Sequence, residues 1–370
     1  MIDFFRYYRY LFPLSDVIRF VIFVLINLFM TKKRATIYDI ALELGISPSS
    51  VSKALNNYRG ASKKLKEMVN KKAIELDYKH NSTAANLRRG SSKTIGVIVP
   101  HINQHFFSDA IAGIEEVCFE NNHNLIICQS QESYKKESIS IDTLIHQNVD
   151  CIIISISAET KSSDYLEQIR NNHIHLIQFD RYLEDVDSWR VVNNNKEASY
   201  GAVSQLIKQG YKRIAFLGGP EHLIAFKNRK EGYLQAIREA GLSIPYNFIV
   251  DCAFSREEAM HEALSMLAMP EPPDAFFNVS DYQSLGIVSA AEQLGLKIPE
   301  QLGVFGFANE TFTELVKPTL SSVNQRSKYM GRSAANVYFT HLINGKSNPE
   351  IKKEITIEAE IMPRQSSTKK

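Results

Sequence analysis

Residues 36–57 constrain the fold of this chain more than any other stretch. They read Thr-Ile-Tyr-Asp-Ile-Ala-Leu-Glu-Leu-Gly-Ile-Ser-Pro-Ser-Ser-Val-Ser-Lys-Ala-Leu-Asn-Asn. The pattern is two short helices joined by a tight turn. Thr36 is placed to cap the first helix, and Asp39 three residues on completes a variant capping box. Ile37, Ile40, Ala41 and Leu44 recur at helical spacing and give that helix one apolar face. Gly45 supplies the left-handed residue that ends it. Ser47 caps the second helix, with Pro48 at the first helical position, where its missing N–H costs nothing. In that helix Val51, Ala54 and Leu55 form a narrow inward stripe, while Ser49, Ser50, Ser52, Lys53 and Asn56 occupy the other face. Short polar groups with one cation suit base edges and phosphates in a major groove. An ordinary helical hairpin with a solvated face has the same local geometry, so the flanks must decide.

They do so through charge. Residues 31–93 hold 14 Lys and Arg against 5 Asp and Glu, whereas the whole chain of 370 residues carries only +2. A basic segment is thus followed by an acidic body, the distribution expected of a nucleic-acid reader fused to a binding domain. Within the basic part, Ser62 caps a third helix running to Asp77, with Leu65, Met68, Val69, Ala73 and Leu76 on its apolar face. Residues 81–90, Asn-Ser-Thr-Ala-Ala-Asn-Leu-Arg-Arg-Gly, form a linker with some helix potential. Leu87 is its one large apolar side chain, and beside two arginines it suits a minor-groove wedge.

Residues 1–30 differ from everything that follows. Apart from Asn27, Phe20 to Met30 is an unbroken apolar run, preceded by Arg6, Arg9 and Arg19, and no small-residue cleavage site follows it. Extended back to Val17 it would make about 21 Å of helix, short of the ~30 Å hydrocarbon core of a bilayer. Met30 followed by Thr-Lys-Lys-Arg is read as the natural start, with a membrane tether through residues 17–30 as the alternative.

From Thr94 onward the pattern alternates. Apolar runs at Ile95–Val99, Leu125–Cys128, Cys151–Ile156, His175–Phe179, Arg213–Leu217, Ala275–Val279 and Leu302–Phe307 read as buried strands, separated by helical segments such as Ile111–Phe119. Repeated strand–helix units argue for doubly wound parallel sheets, with ligands at the carboxyl ends of the strands. A body of roughly 275 residues suits two such sheets with a cleft between them. Cys118, Cys128, Cys151 and Cys252 are scattered through apolar contexts and read as buried free thiols. The ten histidines show no metal-ligand spacing, and no Walker pattern or G-x-S-x-G elbow occurs, so neither an enzyme nor a metal or other cofactor is expected. A solute receptor of transport would need export, which the basic helical module argues against.

In this order, Thr36-Ile37-Tyr38-Asp39-Ile40-Ala41, Val51-Ser52-Lys53-Ala54-Leu55-Asn56, Ala84-Ala85-Asn86-Leu87 and Ile95-Gly96-Val97-Ile98-Val99-Pro100 resemble the LacI/GalR family of bacterial transcription regulators. Phe179-Asp180-Arg181, residues 213–219 and Val304-Phe305-Gly306-Phe307 extend the resemblance to about Met362. It implies an N-terminal all-α helix-turn-helix domain and an α/β two-lobed, periplasmic-binding-protein-like effector domain of two doubly wound parallel sheets. It also implies a cytoplasmic, nucleoid-associated homodimer that binds a pseudopalindromic operator in double-stranded DNA and acts as a repressor. The candidate DNA contacts are then Thr36, Ser47, Ser49, Ser50, Lys53, Asn56 and the wedge Leu87. Lys53 stands where the family commonly has arginine, keeping the charge without the bidentate fork. In the cleft, the family's positions map onto Phe106, Phe107, Asp180, Arg229 and Asp281, with Asn309 as a further candidate, a set suited to a sugar effector. Ala308 and Asn309 stand where aspartates are usual, and so does Asn194.

The expected division is a leader at 1–30, a DNA-binding domain at 31–80, a hinge at 81–93, an effector and dimerisation domain at 94–366 and a tail at 367–370. Intact-mass measurement of the native protein should give a species beginning at Met30; a mass that includes residues 1–29 would overturn that reading.

Overall fold

The computed structural model describes residues 35–56, 58–78, 91–164, 166–252, 255–343 and 352–369. The leader 1–30 and the linker residue Leu87 lie outside them. The chain divides into two compact units, Met1–Ala85 and Asn86–Lys370.

Among its described residues the first unit holds three helices, α1 (Ile37–Leu44), α2 (Pro48–Leu55) and α3 (Lys63–Glu75). Their ends are set by local chemistry. The Asp39 amide donates to the Thr36 hydroxyl, and the Thr36 amide donates to the Asp39 carboxylate at 2.7 Å. Gly45 takes φ +62° after α1, where a side chain would be strained. Ser47 and Ser62 accept from the Ser50 and Leu65 amides at the starts of α2 and α3. Ile40, Ala41, Val51, Ala54, Val69 and Ala73 make the small core. Met68, expected on the inward face of α3, is 39% exposed. One stripe through Leu65, Val69, Ala73 and Leu76 already fills the space the two short helices leave.

The second unit has two lobes. Lobe 1 carries a six-stranded sheet in which β1 (Thr94–Val99), β2 (Asn124–Gln129), β3 (Cys151–Ile154), β4 (His175–Phe179), β5 (Trp189–Asn193) and β11 (Glu354–Ile357) are all parallel, in the order β11-β5-β4-β3-β1-β2. Lobe 2 carries β6 (Ile214–Gly218), β7 (Ile249–Asp251), β8 (Ala275–Asn278) and β9 (Gly303–Phe305), parallel in the order β7-β6-β8-β9. A short antiparallel pair, β10 (Ser322–Asn324) and β12 (Glu360–Met362), completes it.

The expected doubly wound architecture is therefore present, and the seven apolar runs each hold a strand. In lobe 1 the helices are α4 (His105–Glu120), α5 (Tyr134–His146), α6 (Glu167–Asn171) and α11 (Ser327–Val337). In lobe 2 they are α7 (Asn195–Lys208), α8 (Ile224–Glu239), α9 (Arg256–Leu267) and α10 (Asp281–Gln293). Helices α4 and α11 cross at Gly113 and Gly331; a Cβ on either would overlap a backbone carbonyl of the other helix. That close approach brings α11, from late in the chain, onto the face of the first lobe.

Among the described residues the chain passes between lobes three times, at 193–195, 324–327 and 357–360. One buried amide joins all three. Asn193 Nδ2 donates to the carbonyls of Gln325 and Ile357, both at 3.1 Å, and Gln325 Nε2 returns a hydrogen bond to Asn193 Oδ1. Beside it, Asn194 Oδ1 accepts from the Ala359 amide at 2.9 Å.

Candidate DNA interface and interlobe cleft

On the helical unit, Ser49 and Lys53 are exposed along α2, as is Asn56 at its C-cap, and Ser50 is half-buried. The Ser47 hydroxyl lies 2.8 Å from that of Ser49 and 2.9 Å from that of Ser50, a compact row of hydroxyls at the helix N-terminus. Backbone N–H groups and the helix dipole favour an anion there, as a DNA phosphate is. Asn56 Nδ2 turns back to donate to the Ser52 carbonyl at 2.8 Å. Thr36 is engaged with Asp39 through both its amide and its hydroxyl. Tyr38 and Leu42, one turn apart on α1, are exposed as well and were not singled out from the sequence.

In the body, the candidate residues gather where the strands of the two lobes end. Phe106 and Phe107 lie in the first turn of α4, buried, with ring centroids 5.0 Å apart in an edge-to-face arrangement. Asp180 and Arg181 follow β4. From lobe 2, Arg229 on α8 is only 4% exposed. Its Nε donates to Asn195 Oδ1 at 2.8 Å and one terminal nitrogen donates to the Val279 carbonyl at 2.9 Å. Its guanidinium carbon lies 3.7 Å from the Phe307 ring centroid and 5.1 Å from that of Phe226. Burial lowers the Arg229 pKa to about 9, opposed by the charges of Asp180 and Asp281, so the side chain stays cationic at neutral pH. The Asp180 carboxyl is pushed up by burial and pulled back by Arg181, Arg229 and a hydrogen bond from Gln325 Nε2 at 3.3 Å.

The sequence left unlisted several groups that shape this cleft. Arg181 directs one terminal nitrogen to both oxygens of Glu132 at 2.9 Å, while its guanidinium lies 5.8 Å from the Phe107 ring and 5.3 Å from that of Phe226. Phe226 stands three residues before Arg229, one helical turn, and that spacing was the available signal. Glu310 of lobe 2 accepts from the amides of His105 and Phe106 at 3.1 and 3.3 Å, capping α4 of lobe 1 across the cleft. On the other side His222 Nε2 meets the Ala158 carbonyl at 2.8 Å.

The structure brings Phe107, Asp180 and Arg229 to a common space with Phe226, Phe307 and Arg181. Phe106 stands beside Phe107. Asp281 is committed to its own lobe: its carboxylate accepts from Ser322 Oγ at 2.7 Å and from the Glu310 amide at 2.8 Å, and burial pushes it up to about 7. Asn309 Oδ1 accepts from Arg364 at 2.8 Å. These two residues therefore shape the loop that carries Glu310. Burial pushes the thiols of Cys118 and Cys252 up to about 12 and about 11 and that of Cys151 well above its ordinary value, which fits packed rather than reactive cysteines. Among the described residues, no group of three or more His, Cys, Asp and Glu is arranged to hold a metal ion. No helix among them is long and apolar enough to cross a membrane.

Comparison with known proteins gives a consistent outcome. Residues 36–81 match the family described as bacterial regulatory proteins, lacI family, and residues 203–367 match a periplasmic binding protein-like domain. The chain is 32% identical over 300 residues to the HTH-type transcriptional repressor CytR of Escherichia coli, covering 81% of this chain and 87% of that protein. It is 30% identical over 305 residues to the HTH-type transcriptional repressor PurR of Vibrio atlanticus, covering 82% and 90%. Among solved structures, the lac repressor dimer bound to operator and the anti-inducer ONPF superposes with a TM-score of 0.79 at 18% identity, covering 91% of this chain and all of that one. A LacI family regulator from Enterococcus faecium with bound ribose gives 0.64 at 24% identity, covering 74% and 98%. At these identities the structural likeness speaks for the fold.

Replacing Arg229 with Met would leave Asn195 Oδ1 and the Val279 carbonyl without their donor, at about 1–3 kcal/mol for each buried group. Urea unfolding should show a lower midpoint for this variant than for the parent; an unchanged midpoint would mean that these acceptors find other donors.

Proposed function

Because the chain belongs to the lacI family of bacterial regulatory proteins, and is a DNA-binding transcriptional repressor by that membership, we propose that a small molecule bound between its lobes controls its affinity for an operator. The molecule is a sugar or sugar derivative. The observation that carries this reading is the cleft chemistry. A buried cationic Arg229 lies against the Phe226 and Phe307 rings, with Asp180 and Arg181 from the other lobe beside it. Aromatic faces suit the C–H side of a sugar ring, and carboxylate and guanidinium groups suit its hydroxyls.

In this reading residues 31–80 read DNA, 81–93 form the hinge, and 94–366 bind the effector and dimerise. Ser49, Ser50 and Lys53 meet bases in the major groove, Thr36, Ser47 and Asn56 support that docking, and Leu87 wedges the minor groove. Phe106, Phe107, Asp180 and Arg229 meet the effector, while Asp281 and Asn309 act through the loop they hold. The operator is pseudopalindromic and the protein a cytoplasmic homodimer; the lac repressor named above is described as a dimer on its operator. The Escherichia coli and Vibrio relatives are named as repressors, and the present chain is taken as a regulator rather than an enzyme. Closure of the lobes on the effector would change the placement of paired hinges, which is linkage between two binding sites.

The direct test is a thermal-shift screen against a panel of sugars that includes ribose and cellobiose, followed by operator titration with and without the hit. At least one sugar should raise the unfolding midpoint and change operator affinity by roughly 5- to 150-fold, the usual span of such coupling. A panel with no hit removes the sugar. Leu87→Ala should weaken operator binding by about tenfold, equivalent to ~1.4 kcal/mol, with the unfolding midpoint unchanged. Equal affinity in a gel-shift titration would sink the wedge.

A further inference from the structure

The amino-terminal ends of the lobe 1 strands hold an arrangement that neither the cleft nor the DNA-facing helix explains. Asp150, the residue before β3, accepts four hydrogen bonds from three consecutive residues of the segment entering β1. Oδ1 accepts from the Ser92 amide at 2.7 Å and the Ser92 hydroxyl at 3.2 Å; Oδ2 accepts from the Ser91 hydroxyl at 2.7 Å and the Lys93 amide at 2.8 Å. Ser91 Oγ also accepts from the Lys93 amide at 3.3 Å, which curls the segment around the carboxylate. Lys93 adopts φ +51°, a conformation that a lysine rarely takes and that this cradle holds in place.

The carboxylate is itself fixed. The Asp150 amide donates to the Thr94 carbonyl at 2.8 Å, and its carbonyl accepts from the His175 amide at 3.2 Å, so its backbone sits between β1 and β4. The Lys93 carbonyl in turn accepts from the Asn124 amide at the start of β2. The side chain is 11% exposed, with the imidazole Nε2 of His123 at 3.8 Å from Oδ2. A carboxylate carried by a sheet and accepting from successive backbone and hydroxyl donors is a strong, oriented clamp.

What it clamps gives the arrangement its meaning. Residues 91–93 are the first described residues after the linker 81–90, through which the chain runs to the DNA-reading helices. If the body controls DNA binding, as proposed above, movement of lobe 1 passes along the covalent chain to the linker through this junction. A loosely held junction would absorb the movement in its own backbone rotations; a clamped one passes it on. We propose that Asp150 is the positioning residue that makes the exit of the linker rigid with lobe 1, so that the placement of this lobe sets the placement of the residues that meet the operator. This proposal rests on the reading of the chain as a sequence-specific DNA regulator.

The experiment uses the full chain and the duplex that the parent protein enriches most from a random-sequence pool. Asp150→Asn keeps the shape but turns one acceptor into a donor, so one of the two backbone amides loses its acceptor. The variant should show faster amide exchange at Ser92 and Lys93. Its affinity for the selected duplex should be at least about tenfold weaker, within the usual range of coupling between sites, while affinity for an unrelated duplex of equal length is unchanged. A Ser91→Ala/Ser92→Ala variant, which keeps the carboxylate and both amides, should show a smaller fall in the same direction and serves if the first variant does not fold. Faster exchange with undiminished affinity for the selected duplex overturns the proposal, as does an equal loss on both duplexes, which would mark general damage. Failure of the parent to enrich any duplex would remove the DNA-reading premise and the clamp with it, a result distinct from a parent that selects a duplex and a variant that binds it equally well.

Discussion

A charge that cannot reach water must be met by the fold, and the Arg229 guanidinium is such a charge. Its partners come from several directions: Asn195 from α7, the Val279 carbonyl from the end of β8, and the Phe307 ring from beyond β9. All three belong to lobe 2. The opposing charge nearest in effect, Asp180, belongs to lobe 1, and burial strains it in the reverse sense, raising its pKa where it lowers that of Arg229. Each lobe thus presents an ionisable group whose charged form is costly to bury alone. Bringing the lobes together removes water from both groups, and their mutual attraction offsets part of that cost. A polar molecule able to bond to both would offset more, which is how a ligand of this cleft could favour one arrangement of the lobes over another.

The same region explains why Ala308 and Asn309 can stand where charged residues were expected. The loop after β9 is occupied with structure. Arg364 near the chain's end holds Asn309, Ser322 and the Glu310 amide hold Asp281, and the Glu310 carboxylate reaches across to cap α4. Burial raises the Glu310 pKa, while the two amides it accepts from favour its ionised form. The loop thereby supplies a contact between the lobes through Glu310. The charged groups of the cleft are concentrated instead at Asp180, Arg181 and Arg229.

How much of this could be read from the sequence followed the range of the interaction. Thr36, Ser47 and Ser62 cap helices through amides three residues away, so their roles were visible in the local order of residues. The strands buried on both faces announced themselves as apolar runs. By contrast β5 mixes Trp189, Arg190 and Asn193 with its valines, and β7, β10 and β12 are only three residues long. β11 pairs with β5 although Glu354 and Arg190 are far apart in the chain, and no local pattern signals such a partner. The cleft shows the same split. Arg229 and Asp180 were reached through family resemblance. The Arg181–Glu132 pair, the Glu310 cap and the Asn193 amide depend on residues brought together by the completed topology, and periodicity carries no trace of them.

The amide at Asn193 ties the three crossovers of the two-lobed body to one another. Three strands of chain join the lobes, and each alone would permit rotation about its own bonds. Both hydrogens of the Asn193 amide are used on the other two crossovers, and Gln325 closes the ring by donating back to it and to Asp180. Rotation of one crossover without the others would break hydrogen bonds in a buried setting, where they are expensive to lose. Bending at one crossover is therefore opposed by its hydrogen bonds to the other two. Because Gln325 also donates to Asp180, the hydrogen-bonded crossovers are joined directly to the charged groups of the cleft.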